Sequence, residues 1–165
     1  KAEIAKLKIY AHGTSSITID DIDAIIGDSA QTTLDAAVDA ALAAAHDTAL
    51  RHLDKLHASG TPPDVLLATL SQHILRLLRL RAKIDAGASA DAALKSFRPP
   101  VHFRRADQMK IQIRNWDGRR LRRALNLTSR ALRHARTNPA IAHQIAAHAI
   151  LRLHASEAKQ THASA

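Results

Sequence analysis

The chain has 165 residues, enough for one good core or two small ones, and carries 24 Lys/Arg against 15 Asp/Glu for a net charge of +9. It has no cysteine, which excludes disulfides, thiolate chemistry and Cys-based zinc sites, and no apolar run approaches a membrane span. Apolar residues make up 46% but aromatic ones only 2%, so Ala and Leu supply most of the apolar surface. With Arg and Lys they are strong helix formers, and β-branched alternation is scarce, so an all-α fold of about six to seven helices is expected.

In chain order, residues 1–12 read as the end of a helix, with Ile4, Leu7 and Ile9 apolar and Gly13 as the stop. Thr18 and Asp21 form a capping signal for a short helix bearing Ile19, Ile22, Ile25 and Ile26. It is expected to end at Gly27-Asp28-Ser29, which places a domain boundary after residue 28. Thr33 to Ala45 and His46 to Ser59 are the next helices, the second stopped by Gly60. Thr61 is expected as N-cap and Pro62 as first residue of a long helix to about Asp85. Leu66, Leu67, Leu70, Ile74, Leu77, Leu78 and Ile84 form its apolar stripe, and Gly87 closes it. Ser89 caps a short helix, and Pro99-Pro100 forces an extended kink. Val101 to Trp116 is the next helix, with Trp116, the sole tryptophan, as an elbow or core anchor. Asp117 caps a helix to Arg136, and Asn138-Pro139 caps a last one to about His154. Residues 29–157 thus form one helical unit, and 158–165 a disordered tail.

Much site chemistry is missing. There is no Gly-x-x-x-x-Gly-Lys-Ser/Thr phosphate loop and no Gly-x-Ser-x-Gly elbow. No two successive histidines among the eleven lie three or four residues apart, so no single helix turn offers a His pair to a metal, and scattered surface histidine is expected. Asp20, Asp21 and Asp23 lack the spacing of a calcium loop. No catalytic residue, cofactor or metal site is assigned.

Charge is the strongest remaining signal. Residues 1–70 carry a net −5 and residues 71–165 a net +14. Between Lys95 and Arg136 stand thirteen Lys/Arg and only Asp107 and Asp117 as acids. At 100° per residue, the Asp117–Arg136 helix places Leu121, Ala124, Leu125, Thr128, Leu132 and Ala135 on one side. Arg119, Arg122, Arg123, Arg130 and Arg133 fall on the other, with no acid among them. Such a face suits phosphate or an acidic protein surface, and a nucleic-acid contact of this kind weakens steeply with salt. In the last helix Ile141 and Ile145 lie on one side and Ile150 and Leu153 nearly on the other, with Leu151 between. This predicts either a second, intersubunit contact or a central place in the chain's own bundle.

The order of several motifs resembles a known family. They are Ala24-Ile-Ile-Gly-Asp-Ser29, Leu34-Asp-Ala-Ala-Val-Asp-Ala-Ala-Leu42, Ala49-Leu-Arg-His-Leu-Asp-Lys-Leu56, Gly60-Thr-Pro-Pro-Asp-Val-Leu-Leu67 and Phe97-Arg-Pro-Pro-Val-His-Phe103, followed by the Trp116 elbow. Over nearly its whole length the chain looks like the C-terminal half of the delta subunit of the bacterial DNA polymerase III clamp loader. The resemblance implies that residues 1–28 are the end of a small AAA+-like lid and 29–157 a helical collar that joins a heteropentamer with tau/gamma and delta prime. That assembly uses ATP to load the sliding clamp on primed DNA, as part of a DNA-directed DNA polymerase holoenzyme, a nucleotidyltransferase. Clamp contact would lie in a domain N-terminal to Lys1, which also fits a chain that begins with Lys. Family members with an aromatic near the start of the last helix have Thr137-Asn138-Pro139 as the matching place here, so no stacking role is carried over. A cytoplasmic location, no cofactor in this fragment and no membrane partner are the accompanying expectations. The alternative is a free-standing basic helical module that binds nucleic acid or protein.

Overall fold

The structure, a computed structural model, describes residues 19–98, 101 and 103–154. Among these the chain is all-α: α1 (Ile19–Leu42), α2 (His46–Ala58), α3 (Pro63–Asp85), α4 (Ala90–Lys95), α5 (Phe103–Asn115), α6 (Gly118–Thr137), a 3₁₀ turn (Pro139–Ile141) and α7 (Ala142–Arg152). The expectations for residues 1–18, the Pro99-Pro100 kink and the tail from 158 lie outside the described residues. No described helix is long and apolar enough to cross a membrane.

The axis of the bundle is α3, which packs against each of the other six helices and most extensively against α6. Its buried positions (Leu66, Leu67, Leu70, Ser71, His73, Ile74, Leu77 and Leu80) cover about half its circumference at 100° per residue. That is wider than a one-sided stripe, as a helix with neighbours on several sides requires. Fully burying each leucine stabilises the fold by roughly 1.5–3 kcal/mol relative to exposure. Around this axis α1 pairs with α2, and α7 closes the bundle against α6, α2 and α3.

Local chemistry sets the helix ends. Gly60 (φ 86°) and Gly87 (φ 96°) are left-handed stops, as expected from the sequence. In each, the next residue's N–H reaches back to the helix: Thr61 to Leu56 O at 2.9 Å and Ala88 to Lys83 O at 3.0 Å. The same turn ends α1, where Ala45 N–H bonds Ala40 O at 3.0 Å, but the left-handed residue is Ala44, at φ 59°. Ser89 and Asp117 cap α4 and α6 through their side chains, accepting from Ala92 N–H at 3.2 Å and Arg120 N–H at 2.8 Å. The Arg120 amide holds the Asp117 carboxyl below the usual carboxylate range.

Three expected ends differ. The first helix does not stop at Gly27, since α1 runs unbroken from Ile19 to Leu42. One glycine costs a helix only about 1 kcal/mol against alanine, which a helix of this length absorbs. Thr33 is therefore mid-helix, its hydroxyl donating to Ser29 O at 2.9 Å. At α3 the proline pair shifts the start by one residue: Pro62 is the N-cap and Pro63 the first helical residue. The residue before a proline is driven extended, and Pro62 has ψ 139°. Thr61 thus stands outside the helix. Asn138 does not cap the last helix with its side chain either. Its amide nitrogen donates to His134 O at 3.0 Å and so finishes α6.

Trp116 joins α5 to α6 and is 2% exposed. Its Nε1–H donates to the carbonyl of Leu42, the last residue of α1, at 2.9 Å. The His154 ring packs against the indole in a T-shaped arrangement with centroids 5.0 Å apart, and its own Nε2 donates to Ala41 O at 3.0 Å. The Arg120 guanidinium lies 4.9 Å from the indole ring centroid. The expected elbow anchor is thus also the clamp on the end of α1.

Candidate functional site

On α6 the apolar side and the basic side separate cleanly. Leu121, Ala124, Thr128 and Ala135 are buried, mainly against α3, with Thr128 Oγ1 accepting from Ser71 Oγ at 3.1 Å. This fixes the helix rotation and turns Arg119, Arg122, Arg123, Arg130 and Arg133 outward, and all five are exposed. Ion pairs among the described residues go elsewhere: Arg105 to Asp35 and Asp39, Arg81 to Asp85, Lys110 to Asp91 and Asp107, and Arg136 to Asp64. None reaches the five. Like charges three or four residues apart repel by a few tenths of a kcal/mol, roughly, and an anionic partner reverses that cost.

The three apolar candidates of the last helix divide. Ile150 (1% exposed) and Leu153 (6%) are packed in the chain's own core, which takes the second of the two readings for them. Both turn toward the bundle because α7 is held between α2 and α6, with α3 behind. Leu151 remains exposed at 45%, as does Ile141 at 51%.

A second polar group was not expected. His73 on α3 is buried, which corrects the reading of all histidines as surface residues. Its Nε2–H donates to Gln112 Oε1 on α5 at 2.7 Å, and Gln112 Nε2 donates to Asp39 Oδ1 on α1 at 2.9 Å. Arg105 NH2 lies 3.3 Å from both Asp39 Oδ1 and His73 Nδ1, so Nδ1 is the acceptor and the imidazole is neutral. Arg105 NH1 stands 3.0 Å from Asp35 Oδ1, an ion pair without hydrogen-bond alignment. Burial pushes the His73 pKa down, and the Arg105 charge adds to this against the raising effect of the Gln112 bond and of Asp39 and Asp35. The set ties α1, α3 and α5 together. Its chemistry is structural, since every charge has an opposite charge beside it.

Two other histidines meet across helices. His57 on α2 and His143 on α7 bring their ring centroids within 5.2 Å, and His143 Nε2–H donates to Asp54 Oδ1 at 2.9 Å. Spacing along one helix could not show this pair. Among the described residues no group of three or more side chains is arranged to hold a metal ion.

Compared with known proteins, the chain matches no family model, and no curated protein and no solved structure shows significant similarity to it.

Proposed function

We propose that this chain is the collar-type assembly module of a clamp-loader delta subunit, and that the α6 arginines face an anion inside that assembly. The observation that carries the reading is the exposed face of Arg119, Arg122, Arg123, Arg130 and Arg133, with no carboxylate within ion-pair distance among the described residues. The all-helical bundle and the order of the sequence motifs support it. In this reading the module is held by helix–helix contacts with tau/gamma and delta prime, with Leu151 as the exposed apolar contact on α7. Residues 1–28 belong to a lid that passes into the collar through α1 without a break in the helix, the sliding clamp is bound through a part outside this sequence, and the location is cytoplasmic. The module itself does no chemistry.

Co-purification with tau/gamma and delta prime is the direct test: a chain that stays apart from both is not a collar. Reversing Arg122 and Arg123 to Glu should lower loader affinity for primed DNA and flatten its salt slope. An unchanged slope assigns the face to a neighbouring subunit or to solvent.

The same face also supports a free-standing basic module that binds nucleic acid by its backbone. Salt-sensitive binding of DNA by this chain alone, with no affinity for clamp-loader subunits, would favour it.

A further inference from the structure

A cleft of about 690 Å³ runs along α3 and reaches Arg136 near the end of α6, but none of the five exposed α6 arginines lines it. Its base is one face of α3, from Val65 through Ala68, Thr69, Gln72 and Arg76 to Arg79. Fourteen helical steps make that face about 21 Å long. One wall is α1, with Gln31 and Asp35, and the other is formed by Phe97, Arg98 and Val101 with Arg105 and Met109 of α5.

The charges of this cleft are unequal. Its two acids are already neutralised, Asp35 by Arg105 at 3.0 Å and Asp64 by Arg136 at 3.3 Å. Arg76 and Arg79 are exposed, and no ion pair of the described residues involves either. Arg98 is held in place by its own backbone: its NH1 donates to Lys95 O at 3.1 Å and Phe97 O at 2.9 Å. Between these cations the lining is mixed: Val65, Ala68 and Val101 are apolar, while Gln31, Thr69, Gln72 and His73 are polar.

We propose that this groove binds an extended acidic peptide segment of a partner protein, its carboxylates on Arg76, Arg79 and Arg98 and its apolar side chains on Val65, Ala68 and Val101. Charge complementarity argues for a carboxylate or phosphate ligand. The mixture favours a peptide, whose amides can pair with Thr69 and Gln72 and whose apolar side chains can cover Val65, Ala68 and Val101, whereas a phosphodiester backbone offers neither. Phe97 is the one aromatic side chain in the lining, too few for a stack of bases. At about 3.3 Å per residue, the α3 face accommodates roughly six residues of extended chain. The site is separate from the α6 face and does not depend on the clamp-loader reading.

The test uses the whole chain and fluorescence anisotropy with three labelled probes: an octapeptide alternating Glu and Leu, its Lys/Leu counterpart, and a deoxythymidine decamer. The Glu/Leu peptide should bind, and Arg76→Glu with Arg79→Glu should weaken it by about tenfold or more. The milder pair Arg76→Ala with Arg79→Ala should also weaken it, and Arg76→Lys with Arg79→Lys should recover part of the affinity. Arg122→Glu with Arg123→Glu should change it less than about twofold. Both groove residues are exposed, so circular dichroism should show the parent fold. Equal binding of the Lys/Leu peptide, or indifference to the Arg76 and Arg79 pairs, overturns the proposal. So does a decamer that binds more tightly and loses affinity with the same two arginines, which would make the groove a nucleic-acid channel.

Discussion

Arg105 and the five arginines of α6 share a side chain and little else. Arg105 is wedged between α1, α3 and α5 with two aspartates and a neutral histidine around it. The α6 arginines stand in solvent with no carboxylate beside them. Both lie in the same basic stretch of sequence, where composition alone makes them look equivalent. The difference is one of neighbours: a charge that finds its partner inside the fold holds the fold, and one that does not is left for something outside it.

The largest expected effect comes from removing the cation of the inner set. Arg105→Ala leaves Asp35 and Asp39 partly buried without a counter-charge and should cost about 2–3 kcal/mol in urea unfolding. A loss no greater than that of a surface substitution would erase the contrast between the two groups. Acid should reach the inner set next. His73 is neutral in the fold, with its pKa held below its ordinary value of 6.5. The unfolded chain therefore takes up a proton first as pH falls, so stability is full above that value and is lost below it, toward the folded-state pKa. The slope is at most about 1.4 kcal/mol per pH unit. Melting temperatures between neutral pH and about pH 5 should show this decline, and His73→Gln should flatten its share of it. A variant that melts with the parent's pH dependence would remove His73 from the account.

A smaller effect of opposite sign is expected at the end of α1, the helix that supplies both aspartates. Ala44 holds a left-handed conformation that glycine adopts without strain, so Ala44→Gly should stabilise the chain by roughly 1 kcal/mol. Thermal unfolding would show it as a higher melting temperature, and a fall would mean that the turn is set by something other than backbone sterics. Least should happen at the outer face: Arg122→Ala with Arg123→Ala should shift stability by no more than about 0.5 kcal/mol. A loss comparable to that of Arg105→Ala would mean that the exposed face holds up the fold after all.

What could be read from sequence follows the range of the interactions. The glycine stops at 60 and 87, the Ser89 and Asp117 caps and the two-sided α6 are set by residues within a turn or two, and spacing reveals them. The stop at Ala44 has no such mark, because alanine ordinarily continues a helix. Gly27 misleads in the other direction: its local cost is overruled by the helix around it. The inner polar set was invisible for a different reason. His73 meets Gln112 across 39 positions, and Arg105 and Gln112 meet Asp39 across 66 and 73. Nothing in a helical period announces such pairings. In α7 periodicity showed apolar groups on several sides but could not choose between a partner and the chain's own bundle, and the burial of Ile150 and Leu153 takes the second for those two.

The bond from Trp116 to Leu42 gives the molecule a built-in lamp. The sole indole is sealed from water at the seam where α1 meets the α5–α6 elbow, so its emission should be blue in the closed fold. Any event that lifts the end of α1 off that elbow would wet the ring and redden its light. A spectrum taken without dye or label would therefore report movement of that seam in isolation, even when the helices themselves stay wound.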